Sequence, residues 1–124
     1  MSNSSRIRGT AIEAAAERWL IAQGMRFVER NFSCKAGEID LVMRDGEQLV
    51  FVEVRFRHAD RFGSALESVT RNKQQKVVRA AQYFIAVQPK WRNCACRFDV
   101  LGATQTTSEA EIEWQWLRDA FSSE

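Results

Sequence analysis

This sequence has one histidine, His58, and three cysteines, Cys34, Cys94 and Cys96. One imidazole and a Cys94-Ala95-Cys96 run are too few ligands for a closed zinc site. The odd cysteine count and the lack of an apolar leader in the opening MSNSSRIRG argue against a secreted disulfide framework. No apolar run approaches the ~20 residues that a membrane-spanning helix needs. Internal repeats and low-complexity segments are missing too. These absences point to a soluble chain in a reducing compartment, most simply the cytoplasm, with no membrane partner.

What is present suits one globular domain. The chain has 124 residues, 45% of them hydrophobic, enough to build a single core without a metal or disulfide staple. Residues 1–6 are polar and expected to be a loose tail. The formal net charge is only +2, but it is unevenly spread. From Arg55 to Arg79 seven bases face two acids, and from Phe98 onward six acids face one base. A basic stretch attracts phosphates even in a near-neutral protein, although a charge run is more often a solvated face.

Periodicity outlines the elements. Ile12, Ala15, Ala16, Trp19 and Leu20 recur at helical spacing, predicting a helix over 10–23 that stops at Gly24. Residues 25–32 read as a first strand. Residues 37–44 and 48–57 read as two strands joined by a turn at Asp45-Gly46. Residues 58–68 read as a polar loop. A second helix capped by Ser68 or Thr70 runs to about Val87, ahead of Pro89, with Val77, Val78, Ala81, Phe84 and Ile85 as its apolar stripe. Residues 96–101 read as another strand, and 112–116 as a short strand or a helix entry. This order predicts an α/β architecture with a mixed central sheet flanked by helices.

The stretch GEIDLVMRDGEQLVFVEVRFR, residues 37–57, carries the chemistry. Centring the turn on Asp45-Gly46 pairs Arg44 with Glu47. One sheet face then holds Ile39, Leu41, Met43, Val50, Val52 and Val54. The other gathers Glu38, Asp40 and Glu53 with Val42, Leu49, Phe51 and Arg55. Asp40 would face Phe51, with Glu53 its diagonal neighbour ~7–8 Å away and Glu38 directly opposite Glu53. Carboxylates buried in apolar strands need compensation. A shared hard cation, Mg²⁺ or Mn²⁺, would provide it. So would a salt-bridge cluster with Arg44, Arg55 or a helix residue, and spacing alone leaves the two readings equal.

Several blocks resemble the YraN family of small bacterial proteins over nearly the whole chain: Gly9, Glu13 and Ala16 in the first helix, Arg30-Asn31, Gly37-Glu38-Ile39-Asp40-Leu41, Phe51-Val52-Glu53-Val54, Phe62-Gly63 and Arg97-Phe98-Asp99-Val100. More widely, the pattern is similar to the restriction-endonuclease-like PD-(D/E)xK superfamily, including archaeal Holliday-junction resolvases. That resemblance implies a restriction-endonuclease-like core. It implies Asp40, Glu53, the Val54 carbonyl and Glu13 as holders of Mg²⁺ or Mn²⁺. Its lysine position is occupied here by Arg55, which can stabilise a phosphate bidentately but does not readily lose a proton. Lys73 or Lys76 on the second helix could supply a displaced amine.

The function so implied is metal-dependent hydrolysis of DNA phosphodiester bonds, in branched or structured DNA, with Glu13, Asp40, Glu53 and Arg55 as catalytic residues. Arg57, Arg61, Arg71, Lys73 and Lys76 would hold the phosphate backbone without reading sequence. Junction-cutting relatives also suggest a homodimer. The alternatives are a catalytically silent nucleic-acid-binding module of the same fold and a protein-interaction role for the acidic end and its tryptophans. Trp114 and Trp116 alternate as strand residues do. They would stack on bases or, more commonly, pack in a core or a dimer. Asp99 is expected to pair with Arg97 or a neighbouring strand, the cysteines to be ordinary thiols and His58 to be exposed in a loop.

Overall fold

β-Branched runs alternate with helical stripes along the chain, and the architecture follows that order. The computed structural model describes residues 2–58, 65–105 and 111–123, with side chains from residue 11 onward, His58 excepted. Helix α1 spans Ser2–Ala22, and strands β1 (Arg26–Cys34), β2 (Gly37–Asp45) and β3 (Gln48–His58) follow it. Helix α2 (Arg71–Val87) leads to β4 (Cys96–Gln105) and β5 (Ile112–Phe121). The five strands form one sheet in the order β1-β2-β3-β4-β5. All neighbours are antiparallel except β3 and β4, which run parallel. A parallel pair needs a crossover, and α2 supplies it. The result is an α/β fold with a mixed sheet between helices, consistent with a restriction-endonuclease-like core. Among the described residues no helix is long and apolar enough to cross a membrane.

The sheet is buried on both faces. Ala16 and Leu20 of α1 pack with Met25, Leu41, Met43, Val50, Val52 and Leu101. Val77, Ala80, Ala81 and Phe84 of α2 pack with Val42, Leu49, Phe51 and Val100 on the opposite side. Phe51 is the aromatic centre there, meeting Phe84 edge-on at 5.9 Å and stacking on Phe98 at 5.5 Å. Each such fully buried side chain contributes about 1.5–3 kcal/mol. Thr70 caps α2, its side-chain oxygen accepting the Lys73 N–H at 3.1 Å, a bond worth roughly 1 kcal/mol to a helix.

Several element boundaries and the face of one residue differ from the sequence reading. Residues 2–6 of the expected tail fall within α1, which starts at Ser2, and residue 1 lies outside the described residues; once a helix is nucleated on a packed segment, each further residue extends it cheaply. His58 ends β3, opposite Gln105, instead of opening a loop. β5 continues to Phe121, whose ring stacks on Phe98 at 5.2 Å. Ile39 joins the α2-side cluster, not the α1-side face of Leu41 and Met43.

The β2–β3 turn is also displaced. Asp45 pairs with Gln48 and Val42 with Phe51, so the turn residues are Gly46 and Glu47. Gly46 has φ +62° and is the only one of the two on the positive side, as a hairpin with glycine first in the turn requires. Asp45 stays in the strand because Arg97 grips it: Nη1 donates to Asp45 Oδ2 at 3.0 Å and to Gln48 Oε1 at 2.9 Å. The turn still has two residues, so from Leu41 to Val52 the parity of the faces survives although every partner slides.

Candidate functional site

The slide changes which acids meet. Val42 takes the place opposite Phe51 that was expected for Asp40, and the β2–β3 ladder ends at Leu41 and Val52. Asp40 and Glu53 come next on each strand, so they are level with one another, not diagonal. Glu38 is exposed instead of facing Glu53. Where the ladder opens, side chains replace backbone partners. The Val54 N–H donates to Asp40 Oδ2 at 2.8 Å, and the Asp40 N–H turns toward the Glu53 carboxylate.

Glu53 is 1% exposed. Burial first, then the charge of Asp40, pushes its pKa from an ordinary 4.5 to about 8. Burial also raises Asp40, partly offset by the Val54 N–H and by the charges of Lys73 and Arg55. Glu13, half-buried on α1, has its pKa raised by burial and by Asp40, with which it shares hydrogen-bonding reach. So Asp40 stands beside both Glu13 and Glu53.

Strand β1 aims Glu13. Asn31 sits between the pairs Arg30–Leu41 and Phe32–Ile39, level with Asp40, and its side chain bonds the Glu13 carboxylate. Its φ is +56°, a conformation that asparagine tolerates better than most residues. Next to it, Arg30 Nε donates to Glu17 Oε1 at 3.0 Å, fastening α1 one turn after Glu13. The sequence reading missed Asn31 as a positioning residue. The available signal was the Arg30-Asn31 block of the family signature, to which no role was attached.

The bases divide. Arg55 is half-buried on β3, with Nη2 3.8 Å from Glu53 Oε2 and a buried Nε that has no partner. Lys73 is half-buried, and its charge acts on both Asp40 and Glu53. Arg71 and Lys76 are exposed on α2, and Arg57 is half-buried near the end of β3. Arg61 and Phe62-Gly63 lie outside the described residues.

Among the described residues no three His, Cys, Asp or Glu side chains form a ready-made metal cage. Magnesium does not need one: it is commonly held by one or two carboxylates, waters and substrate phosphates. Glu53 Oε1 is buried with no hydrogen-bond partner, beside a second carboxylate. That donor set, all oxygen with one atom unpartnered, fits a hard divalent ion. Val54 is half-buried beside it, its N–H committed to Asp40.

The model of the uncharacterised protein family UPF0102 matches residues 12–103. Its UPF0102 relatives include one in Alcanivorax borkumensis, 46% identical over 98% of this chain and 96% of that protein. Another, in Saccharophagus degradans, is 50% identical over 92% of each. The chain belongs to UPF0102, the YraN family. The matched span includes Glu13, Asn31, Asp40, Glu53, Arg55 and Lys73, and it ends in β4.

Of the YraN signature residues, Arg97 and Asp99 are structural. Asp99 is wholly buried and bonds Arg97 through Nε at 3.0 Å, as expected of that pair, and also Trp116 Nε1 at 2.9 Å and the Asp119 N–H at 2.9 Å. Trp114 stacks on Trp19 of α1 at 5.7 Å and Trp116 meets it edge-on at 5.8 Å, so both tryptophans pack within the fold. The three cysteines are unpaired thiols.

Proposed function

We propose that this protein is a divalent-metal-dependent nuclease that hydrolyses DNA phosphodiester bonds, with branched or structured DNA as its substrate. The observation that carries the reading is the unpartnered, buried Oε1 of Glu53 beside Asp40. A buried polar atom without a partner costs about 1–3 kcal/mol, and an arrangement with that cost calls for a role. Asp40 and Glu53 would hold Mg²⁺ or Mn²⁺, with Glu13 as the third acid. The bound ion supplies charge stabilisation at the phosphoryl oxygens and a water acidified toward neutral pH.

The chain's own groups do the rest. The Val54 N–H fixes Asp40, Asn31 aims Glu13, and Arg55 stands on the Glu53 side as a fixed positive charge. The exposed Arg71 and Lys76 offer phosphate contacts that carry affinity without sequence reading. A homodimer would let two such sites address paired strands.

The test is cleavage of junction, flap, single-stranded and duplex DNA with Mg²⁺ or Mn²⁺, beside calorimetric titration of Mn²⁺. The wild type should cut at least one structured substrate. Asp40→Asn should lose about 100-fold or more in rate, as removal of a charge-stabilising group does, along with Mn²⁺ binding. If every substrate stays intact with both metals, the nuclease reading is lost. A second reading, a nucleic-acid-binding module without chemistry, is favoured by Arg55, whose guanidinium stays protonated. It expects salt-sensitive DNA binding that survives Asp40→Ala.

A further inference from the structure

Helix α2 carries four bases, Arg71, Lys73, Lys76 and Arg79, and no acid. Arg71 and Lys73 stand in its first turn, where the helix dipole favours negative charge instead. Among the described residues no ion pair closes on Arg71 or Arg79. Residues four apart share a helix face. Arg71, Gln75 and Arg79 therefore form one ridge, and Gln74, Val78 and Gln82 form the next. Both ridges line a cavity of about 410 Å³, which Ser122 and Ser123, just past β5, border from the other side. Among the described residues no acidic side chain lines it. Gln74 is held in one orientation: its Nε2 donates to the Val69 carbonyl at 3.0 Å, which leaves its Oε1 as an acceptor. Val78, only 8% exposed, is an apolar floor between Gln74 and Gln82.

We infer that this cavity is a binding site for a single nucleotide unit carrying a terminal phosphate, separate from the acid pair and independent of any metal. None of Glu13, Asp40, Glu53 and Arg55 lines it, so it goes beyond the nuclease reading and does not rest on it. Arginine forks match phosphate oxygens two at a time, and at Arg71 the positive end of α2 adds to the attraction. Arg79 follows two turns on, about 12 Å along the axis, far enough to meet the other end of the same ligand. A bare phosphate would use the arginines but not the Gln74 acceptor or the Val78 floor. A nucleobase uses both: it has N–H donors, acceptors that glutamine amides can pair with, and a flat face on which a guanidinium stacks. The volume lies at the small end of the roughly 300–1,000 Å³ typical of small-molecule sites. That leaves room for one nucleotide and not for a duplex. A nucleotide in solution and the 5′-phosphorylated end of a strand offer the same groups.

The experiment is calorimetric titration in EDTA of the wild type, Arg71→Ala, Arg79→Ala and Arg18→Ala, the last at an exposed arginine of α1. The probes are the four deoxynucleoside 5′-monophosphates, their nucleosides, inorganic phosphate, and a short oligonucleotide with and without a 5′-phosphate. At least one monophosphate should bind the wild type with a Kd below about 1 mM. Its nucleoside and inorganic phosphate should each bind at least about tenfold more weakly. Arg71→Ala and Arg79→Ala should each lose about tenfold, as removal of a charged hydrogen bond does, and Arg18→Ala should match the wild type. A phosphorylated oligonucleotide that binds at least as tightly as the free nucleotide, and loses that affinity without its phosphate, makes strand ends the ligand. One that binds less tightly makes it the nucleotide in solution. The inference is overturned if no monophosphate binds, if inorganic phosphate binds as tightly as the best nucleotide, or if both arginine variants bind like the wild type. A wild type that binds no nucleotide yet cuts DNA with Mg²⁺ sinks this site alone, and one that binds nucleotides yet cuts nothing sinks the nuclease reading alone.

Discussion

Among the described residues two acids are fully buried, and the protein treats them in opposite ways. Asp99, between β4 and β5, accepts from Arg97, from Trp116 and from the Asp119 backbone. It does so where the β4–β5 register slips between Phe98 and Val100 and Asp119 takes φ +52°. Its oxygens replace the carbonyl that a regular ladder would have offered. Glu53, two strand-widths from β5, has the Asp40 N–H and one arginine nitrogen at 3.8 Å, and one oxygen with no partner. The chain can satisfy a buried carboxylate completely, and at Asp99 it does. Incomplete satisfaction at Glu53 is therefore a property of that place in the fold. It marks the acid pair at the open end of the β2–β3 ladder as a site for something that binds.

The contrast predicts opposite signs for removing the two acids. Asp99→Ala leaves Arg97, whose side chain is 10% exposed, without its main partner. Breaking a buried pair from one side costs about 3–5 kcal/mol, and in a chain of this size that lowers the melting temperature by about 10–20 °C. A thermal melt followed by circular dichroism decides it. A loss of only about 3 °C would mean that Asp99 is no better supported than Glu53, and the comparison would fail.

Glu53→Gln should go the other way. Its pKa is raised in the fold from 4.5 to about 8, so the native state holds a proton that the unfolded chain has released. Stability is then fully present below about pH 4.5, falls as pH rises toward 8 and levels off above it. Glutamine removes that loss, and the variant should be more stable than the wild type by about 1–3 kcal/mol at pH 8–9, with little difference at pH 4. Denaturant melts at both pH values measure it. Mn²⁺ at pH 8 should stabilise the wild type and not the variant, because only the carboxylate binds it. A variant that is less stable at every pH would show that Glu53 is a structural acid after all.

Sequence patterning reached much of this arrangement. The two strands, the capped α2 and the gathering of Asp40 and Glu53 were legible because period and turn chemistry are local. The partner of each residue was not. Asp45-Gly46 is a strong turn signal by itself, and the Arg97 that binds Asp45 in the strand lies fifty-odd residues away. The other face of β2 and β3 carries acids at one end, yet Val42, Leu49 and Phe51 are core under α2. A strand buried on both faces does not announce which helix covers which side. The role of Asn31 stayed hidden for the same reason: its contact is with Glu13 of α1, across the sheet edge.

Arg97 raises a question about the comparison itself, because it touches both regions. It binds Asp99 and also clamps Asp45 and Gln48, the closing pair of the hairpin that sets Asp40 level with Glu53. If that clamp alone fixed the register, the satisfied acid would control the unsatisfied one. The fully buried Leu41, Val42, Met43, Val50, Phe51 and Val52 exclude a slip of one residue, which would turn them to the wrong face, and against a slide that keeps the faces Arg97 retains its bond to Gln48 when Asp45 is removed. Asp45 is 42% exposed in its side chain, where an ion pair contributes about 0.2–1 kcal/mol. Asp45→Ala should therefore cost no more than about 1 kcal/mol in a denaturant melt and leave calorimetric Mn²⁺ affinity unchanged. A tenfold drop in affinity at intact stability would show that the hairpin clamp positions the acid pair, making the two carboxylate centres one coupled unit.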